Sequence, residues 1–248
     1  MAGNRPVTLI VGATSGIAEA CARLWAIDGG HDYVLVGRRK EALESIATDL
    51  RARDSAATVT VMTLDVTDAA AIDACVDEIS SAGAARNVLV AFGVLPDQDV
   101  MQSDSSALAA ALDVNAVAPA LWAEACVRAA GSGPCTIGVI GSVAGDRGRK
   151  SNYAYGAAKG LVDRFMEGLQ HRCAGSEIHP VLIKPGPTQT AMTAHLETAK
   201  LAPVEDVARD IVTGMAAGKT VIYTPGKWRL IMAVIRNLPR VVFNRMDI

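Results

Sequence analysis

Tyr155 and Lys159 stand four residues apart in an alanine-rich stretch whose pattern predicts a helix. On a helix this spacing places both side chains on one face, one turn apart. An ammonium group beside a phenol lowers the pKa of that phenol from its ordinary value of about 10, which brings proton transfer closer to neutral pH. Tyr155 is therefore a candidate general acid or base. The other pair with this spacing, Tyr223 and Lys227, encloses a Pro-Gly dipeptide and is predicted to be a turn.

Thirteen residues before Tyr155, Ser142 follows a short apolar run that predicts a strand. Its hydroxyl can donate a hydrogen bond to a substrate oxygen and so orient that oxygen. With Tyr155 and Lys159 it would serve the reduction of a carbonyl or the oxidation of an alcohol. Each residue alone also has an ordinary interpretation, as a half-buried tyrosine, a surface lysine or a turn serine. The combination at this spacing favours catalysis.

A glycine-rich turn, Val-Gly-Ala-Thr-Ser-Gly-Ile-Ala over residues 11–18, joins the first predicted strand to the first predicted helix. Gly12 permits a tight turn, and Gly16 permits close approach of the backbone to a pyrophosphate at the helix N-terminus. A plain structural turn is the alternative, but the strand–turn–helix context favours a nucleotide site. The residues predicted to contact the dinucleotide there are Gly12, Thr14, Ser15, Gly16 and Ile17.

The end of the second predicted strand indicates which dinucleotide fits. It carries Arg38, Arg39 and Lys40, and the first carboxylate after this run is Glu41. Sites for NAD place a carboxylate there for the ribose 2′-hydroxyl, whereas sites for NADP place basic groups near the 2′-phosphate. Arg38 can bind that phosphate bidentately, so the sequence favours NADP(H) over NAD(H). A solvated charge run at a helix start is the alternative.

Asp65 and Val66 follow the third predicted strand, where the carboxylate of Asp65 can accept a hydrogen bond from an adenine amine. Asp65 could equally cap the following helix, although Thr67 and Asp68 are better placed for that role. Both roles of Asp65 stay open from the sequence, and both residues are predicted to lie at the cofactor.

Short β-branched runs alternate with longer alanine-rich stretches along the chain. The runs predict strands over residues 7–11, 33–36, 58–64, 88–92, 136–140, 178–183 and 221–223. The stretches between them predict helices near residues 15–28, 39–53, 68–82, 103–130, 153–174 and 204–217. The strands are mostly apolar on both faces, so we expect a Rossmann-type α/β fold, a doubly wound parallel sheet of about seven strands with helices on both faces. Functional residues of such sheets lie at the carboxyl ends of the strands.

Composition limits the class of protein. Half of the 248 residues are apolar and only 4% are aromatic, as expected for one well-filled domain, predicted over residues 1–226. Lys and Arg number 24 and Asp and Glu number 26, a balance that argues against binding of nucleic acid. The five cysteines are scattered without histidines at ligand spacing, so we expect buried thiols in a reducing compartment and no metal site. No apolar run has the length of a membrane span or the pattern of a cleaved signal, so we expect a cytoplasmic protein.

Taken together, these motifs resemble the classical short-chain dehydrogenase/reductase family over essentially the whole chain. The resemblance implies that Ser142, Tyr155 and Lys159 are catalytic. It adds Asn115 as a fourth catalytic residue, which would bind a backbone carbonyl and hold a water that leads to Lys159. It also implies that Asp65 contacts the adenine and that the protein is a homodimer or homotetramer. It extends the cofactor site to Gly93, Tyr155, Lys159, Pro185, Gly186, Thr188 and Thr190.

The chain departs from the family pattern at three places. Ala18 replaces the third glycine, Val11 replaces the usual threonine, and residues 90–95 replace the customary Asn-Asn-Ala-Gly, of which only Gly93 remains. Four segments, 91–95, 144–150, 192–196 and 235–240, resemble the subgroup that contains the reductase of decaprenylphosphoryl-ribose 2-epimerase. That resemblance implies a keto-sugar substrate of a cell-surface glycan pathway, with a polyprenyl-phosphate-linked sugar as one form of it.

Residues 227–248 form an apolar tail with basic residues interspersed and a proline at position 239 that must interrupt any helix. Two interpretations of the tail stay open. It packs over the substrate pocket or a subunit interface, or it contacts the inner face of a membrane through its apolar and basic side chains.

Two rival functions also stay open. A generic carbonyl or 3-oxoacyl-thioester reductase would use the same chemistry on another substrate. A dinucleotide-binding sensor or scaffold would bind the cofactor without turnover, and such a protein has no need of a complete proton-transfer set. The sequence therefore favours an enzyme.

Overall fold

A sheet of seven parallel strands organises the computed structural model, which describes residues 5–83, 85–130, 133–194 and 201–246. The strands are β1 Val7–Val11, β2 Asp32–Gly37, β3 Val59–Thr63, β4 Ala85–Val90, β5 Cys135–Ile140, β6 Ile178–Pro185 and β7 Val221–Thr224. Their order is β3-β2-β1-β4-β5-β6-β7, and each neighbouring pair is parallel. The chain winds outward from β1 in both directions, which confirms the predicted doubly wound fold.

Helices cover both faces of this sheet. In the described residues the α-helices are α1 Gly16–Asp28, α2 Lys40–Arg53, α3 Ala69–Gly83, α4 Gln98–Ser103, α5 Ser105–Leu112, α6 Ala118–Ala130, α7 Tyr153–Arg172, α8 Val204–Ala216, α9 Lys227–Asn237 and α10 Arg240–Phe243. Helices α1, α2 and α8 pack on one face, and α3, α6 and α7 pack on the other.

Strand β1 shows why the strands are mostly apolar on both faces. Leu9 and Val11 belong to the core beneath α3, α6 and α7, whereas Ile10 belongs to the core beneath α1, α2 and α8. Successive side chains of a strand point to opposite faces, so a strand with helices on both sides has no solvent face.

The helical segment Ser105–Ala130 comprises α5, a π-helical turn at Asp113–Val117 and α6. By length and composition alone this segment could cross a membrane. In this structure one side of the segment packs in the core, where Trp122 is fully buried and donates its indole N–H to Val66 O at 3.0 Å. The helix predicted over residues 103–130 is thus one helical segment from α5 onward, and α4 precedes it as a separate helix.

The tail forms two helices that the sequence pattern left unassigned. Helix α9 begins at Lys227, and Pro239 separates it from α10, as its ring requires. Arg147, in the segment after β5, donates hydrogen bonds from Nη1 to Ile235 O at 2.5 Å and to Leu238 O at 2.8 Å. The C-terminal end of α9 is therefore held against the segment that lies between Ser142 and α7.

Candidate active site

The glycine-rich turn after β1 leads directly into α1. Gly12 has a φ of +77°, a left-handed conformation that favours glycine, and a Cβ atom there would lie 2.7 Å from Phe92 Cβ. Ser15 caps α1 and accepts a hydrogen bond from Ala18 N at 3.3 Å. The first amides of a helix have no acceptor within the helix, so this terminus favours an anion.

The loop after β6 reaches over the start of α1. A Cβ atom on Gly16 would lie 3.3 Å from Thr190 Cγ2, so the loop and the turn are in contact. Gly186 is covered by the Trp228 indole and has no space for a side chain, and Thr188 Oγ1 donates to Gly186 O at 2.9 Å. The two segments form a narrow cradle at a helix N-terminus, which fits the pyrophosphate of a dinucleotide. The cradle segments contain the predicted residues Gly12, Thr14, Ser15, Gly16, Ile17, Pro185, Gly186, Thr188 and Thr190.

The basic run after β2 shares an edge of the sheet with this cradle. Arg38, Arg39 and Lys40 are exposed at the junction of β2 and α2. Gly12 N donates to Val36 O at 2.8 Å, so the end of β2 lies beside the glycine turn. The basic side chains and the turn thus occupy neighbouring carboxyl ends of two adjacent strands.

Asp65 follows β3 and is exposed. Hydrogen bonds from Thr67 N at 3.0 Å and Thr67 Oγ1 at 2.8 Å lower the pKa of the Asp65 carboxyl, and the charge of Arg38 acts in the same direction. Helix α3 is capped by Asp68, which accepts two backbone hydrogen bonds at 2.9 and 3.2 Å. Asp65 is therefore not the cap of α3, and Val66 beside it is buried.

Ser142 and Tyr155 approach each other at the carboxyl end of β5. Ser142 Oγ accepts a hydrogen bond from Ala144 N at 3.1 Å, so its own hydrogen can be donated to another oxygen. Tyr155 lies in the first turn of α7 and is half-buried. Burial raises the pKa of the Tyr155 phenol, and a hydrogen bond with Ser142 opposes that rise.

Lys159 lies one helical turn after Tyr155 and is only 2% exposed. Its Nζ donates to Ile140 O at 2.9 Å and lies 5.9 Å from the centroid of the Tyr155 ring. Burial lowers the pKa of Lys159 to about 8, against the opposing charge of Asp163. The expectation that Lys159 lowers the pKa of Tyr155 is wrong for this structure, because the ammonium is directed to the Ile140 carbonyl and burial of the phenol dominates.

Asn115 occupies the π-helical turn between α5 and α6 and is fully buried. Its Nδ2 donates to Ala111 O at 2.9 Å, and its Oδ1 accepts from Val94 N at 3.0 Å. A Cβ atom on Gly93 would lie 2.8 Å from Asn115 Oδ1 and 3.8 Å from Lys159 Nζ, so these three residues meet at one point. Single π-turns inside helices are frequent at functional sites.

Residues 141–146, named the Ser142 turn below, lie directly on α7. A Cβ atom on Gly145 would lie 2.8 Å from the Lys159 carbonyl carbon, and a Cβ atom on Gly156 would lie 3.0 Å from Ala144 O. Glycines on both sides thus let the two backbones touch. This contact brings the serine hydroxyl and the tyrosine hydroxyl together.

Sequence reasoning missed a buried charged cluster beside the site. Lys184, the penultimate residue of β6, pairs with Asp146 at 2.9 Å and with Asp163. Two signals could have indicated it. A lysine follows the apolar run of residues 180–183, and an aspartate follows Lys159 by one helical turn, where it shares its face.

The cysteines are buried and unbridged. Burial raises the pKa of Cys75 to about 11 and those of Cys21 and Cys135 to about 12, so these thiols stay protonated and unreactive at neutral pH. Within the described part of the chain, no group of three or more His, Cys, Asp or Glu is placed to hold a metal ion. The absence of a metal site stays a prediction.

Solved structures share this architecture. A short chain dehydrogenase from Burkholderia cenocepacia J2315, in complex with NADP, aligns with a TM-score of 0.83 and 18% identity over 98% of this chain and 98% of that chain. A short chain dehydrogenase/reductase from Burkholderia phymatum, in complex with NAD, aligns with a TM-score of 0.84 and 22% identity over 99% of this chain and 97% of that chain. These likenesses concern the fold.

Sequence comparison identifies the family. The family model for short chain dehydrogenase matches residues 6–201. An uncharacterized oxidoreductase of Mycobacterium tuberculosis H37Rv is 32% identical over 249 residues, covering 98% of this chain and 98% of that protein. Sulfoacetaldehyde reductase 2 of Chromohalobacter salexigens is 32% identical over 201 residues, covering 75% of this chain and 74% of that protein. The chain belongs to the short chain dehydrogenase family and is an NAD(P)-dependent oxidoreductase.

Proposed function

We propose that this oxidoreductase uses NADPH to reduce the carbonyl of a keto-sugar in a cell-surface glycan pathway. The observation that carries carbonyl reduction is the meeting of four side chains at the carboxyl edge of β4 and β5, namely Asn115, Ser142, Tyr155 and Lys159. The sugar rests on the resemblance of residues 91–95, 144–150, 192–196 and 235–240 to the reductase subgroup. His195 and Leu196 of those segments lie outside the described residues.

The side chains suit the reductive direction. When bound, the reduced nicotinamide supplies a hydride for the carbonyl carbon. Ser142 donates a hydrogen bond to the carbonyl oxygen and orients it, and Tyr155 Oη transfers its proton to that oxygen as negative charge develops. The raised pKa of Tyr155 keeps the phenol protonated at neutral pH, which an acid in this role requires. By the family resemblance, Asn115 and Lys159 hold the water through which the proton is replaced.

A substrate screen tests this proposal. The purified chain is mixed with NADPH and with keto-sugars, their polyprenyl-phosphate-linked forms and 3-oxoacyl thioesters, and loss of NADPH absorbance is followed. We expect turnover with the keto-sugars, fastest with the lipid-linked form. Preference for the thioesters would identify a generic acyl reductase instead. Tight NADPH binding with no turnover on any carbonyl would favour a sensor or scaffold.

The proposed preference for NADPH rests on Arg38. Replacing Arg38 by alanine is expected to weaken NADPH binding about 10-fold or more, because a charge-assisted phosphate contact contributes roughly 1.5–3 kcal/mol. NADH affinity should stay unchanged, since NADH lacks the 2′-phosphate. Both affinities are measured by fluorescence titration, with Arg39→Ala as the matched control at the neighbouring exposed position. An unaltered ratio of the two affinities in Arg38→Ala would exclude Arg38 as the determinant.

We also propose that the tail contacts an anionic membrane at the inner face, where a lipid-linked substrate would lie. Apolar side chains of the tail helices stand exposed, with Leu230 at 74%, Val234 at 64% and Val241 at 67%. Basic residues surround them, and residues 227–246 contain no carboxylate; the exposed cations are Lys227, Arg229, Arg236, Arg240 and Arg245. Exposed apolar side chains flanked by cations are typical of interfacial helices. A subunit interface in a homodimer or homotetramer is the competing use of this surface.

Vesicle binding separates the two uses. The full chain is expected to co-sediment with vesicles rich in phosphatidylglycerol and to stay in the supernatant with pure phosphatidylcholine. The variant Leu230→Asp/Val234→Asp should lose most of that binding, whereas Ile27→Asp, at a position 65% exposed on α1, should not. Equal recovery of wild type in the supernatants of both kinds of vesicle would exclude binding of the tail to an anionic membrane. A change of oligomeric state in the double variant alone would assign the surface to a subunit contact.

A further inference from the structure

A lysine and two aspartates form an ion cluster inside the protein, beside the proposed active site. Lys184 Nζ donates to Asp146 Oδ1 at 2.9 Å and to Asp163 Oδ2, and the three side chains are only 3–4% exposed. Removing three charges from water is costly, and the mutual attraction often does no more than offset that cost. Stability alone therefore explains this cluster poorly, and its place in the fold offers a better reason.

The cluster joins the three segments that carry the proposed site. Asp146 ends the Ser142 turn, Asp163 lies on α7 one turn after Lys159, and Lys184 lies in the last two residues of β6, before the loop that reaches over α1. One ammonium thus binds a carboxylate from the serine segment and a carboxylate from the helix of the tyrosine. The separation of these two segments depends on the position of that ammonium.

The Ser142 turn and α7 approach each other closely, because glycines without side chains form the contact between them. A Cβ atom on Gly145 would lie 2.9 Å from Asp163 Oδ2, and one on Gly141 would lie 3.4 Å from Asp163 Oδ1. The Asp163 carboxylate thus lies against two glycines of the Ser142 turn, one directly before the serine and one three residues after it. In the part of the chain that the structure describes, its Oδ1 has no hydrogen-bond partner, so Lys184 is the group that holds this carboxylate.

Other charged groups face the cluster, and they differ between the two carboxylates. Asp163 faces the charges of Lys184, Asp146, Lys159 and Arg164. Asp146 faces Lys184, Asp163, the Tyr223 hydroxyl at 3.2 Å, the Arg236 guanidinium at 3.7 Å and the charge of Arg149. Without the Lys184 ammonium, two buried carboxylates would face each other across the turn and α7. Such a pair either separates or takes up a proton.

We propose that Lys184, with Asp146 and Asp163, is a positioning residue for the reduction, which holds the Ser142 turn against α7 and so sets the distance between the Ser142 and Tyr155 hydroxyls. The inference rests on the proposed roles of these two hydroxyls in carbonyl reduction. Lys184 itself touches neither of them in this arrangement and acts through the two carboxylates.

The pH profile of Lys184→Met tests the proposal. At pH 8 we expect kcat per folded molecule to fall about 10- to 100-fold, because small misplacements of reacting groups have effects of that size. The loss should shrink to about threefold or less at pH 6, where Asp163, whose pKa burial already raises, can take up a proton. KM for NADPH should change little, since the backbone of Lys184 still pairs with Tyr223 in the sheet. Wild type measured in parallel gives the reference profile.

A second variant supplies the rescue. Lys184→Met/Asp163→Asn removes one carboxylate, and Asp146 keeps Tyr223 and Arg236 as partners. We expect it to recover kcat at pH 8 to within about fivefold of wild type, because the repulsion is gone. If Lys184→Met does not fold, Lys184→Gln takes its place, because glutamine keeps a hydrogen-bond donor. The same pH dependence is expected for Lys184→Gln.

Amide hydrogen exchange separates this inference from the proposed function. In protein without substrate, Lys184→Met should increase exchange in peptides that cover residues 141–147, and the double variant should restore protection. Suppose that Lys184→Met shows faster exchange in that segment but wild type reduces no carbonyl. The cluster would then still hold the Ser142 turn against α7, and only the proposed reaction would be wrong. The positioning role would be overturned if Lys184→Met had the kcat per folded molecule of wild type at every pH from 6 to 8. It would also be overturned if amide exchange over residues 141–147 were the same in Lys184→Met and in wild type.

Discussion

Tyr155→Phe is expected to turn over carbonyl substrates about 10³-fold more slowly than wild type, because general acid catalysis typically contributes 10²–10⁴-fold. The substitution removes a single oxygen atom and leaves the ring in place. Burial keeps the pKa of the Tyr155 phenol above its ordinary value, so the wild-type residue carries its proton throughout the neutral range. In the variant the developing alkoxide must take its proton from water, while the cradle at α1 is unchanged. NADPH affinity should therefore stay within about threefold of wild type.

The matched control is Tyr153→Phe on the same helix. Tyr153 is the first residue of α7 and is 47% exposed. Residues two positions apart on a helix lie on different faces, so Tyr153 does not share the face of Tyr155. We expect turnover within about twofold of wild type, since an exposed surface change is usually small in effect. Steady-state NADPH oxidation and a fluorescence titration of NADPH give both quantities for each variant. Equal turnover in Tyr155→Phe and wild type would falsify the assignment of the acid.

The fold could be predicted because its signals are local. Buried parallel strands must be apolar on both faces, and most strands of the sheet carry such a run, although the edge strand β3 has exposed Thr60 and Thr63. Boundaries were less certain where polar residues begin a strand. Strand β4 starts at Ala85 and includes Arg86 and Asn87, three residues before the predicted start at position 88, because pairing with β1 extends it. Helices α9 and α10 were not assigned from the sequence, where residues 227–248 mix apolar and basic residues and Pro239 interrupts any single helix.

The site could be predicted only where its residues lie close in sequence. Tyr155 and Lys159 share one helix turn, so their spacing alone brings them together. The direction of the Tyr155 pKa shift depends on burial of the phenol and on the group to which the Lys159 ammonium donates. The four-residue spacing determines neither of them. The ion cluster joins residues 21 and 38 positions apart, so only the assembled sheet brings Lys184 to its two carboxylates.

Replacing Lys159 by methionine is expected to reduce turnover about 10²-fold or more and yet leave the free energy of unfolding at pH 7 equal to or above that of wild type. Lys159 is buried and its Nζ donates to Ile140 O, while the charge of Asp163 opposes the effect of burial only in part. Its pKa of about 8, against 10.5 for a free lysine, means that folding must bury a poorly compensated charge. That cost is about 3 kcal/mol, and methionine of similar length removes it.

The pH dependence gives this prediction its sign. Below pH 8 the lysine is charged in both states, so the folded protein bears the whole cost. Between pH 8 and 10.5 the folded lysine loses its proton while the unfolded one keeps it, so the unfolded state binds more protons and wild type becomes more stable as pH rises. Urea unfolding at pH 7, 8.5 and 10 should therefore show wild type gaining stability relative to Lys159→Met. A constant difference across this range would contradict the prediction.

Lys184→Met provides the contrast, because the two lysines are equally buried and oppositely compensated. Burial acts to lower the pKa of Lys184, but the hydrogen bonds and charges of Asp163 and Asp146 outweigh it and raise that pKa. Removing this ammonium leaves the buried Asp163 carboxylate without its partner, while Asp146 keeps Tyr223 and Arg236, so we expect a loss of about 3–5 kcal/mol in the free energy of unfolding. Lys159 thus costs stability for the sake of its position beside Tyr155, whereas Lys184 is destabilising to remove because its loss leaves a buried carboxylate without a cation. Destabilisation of similar size in both methionine variants would show that packing of the lysine stems, rather than charge, decides the outcome.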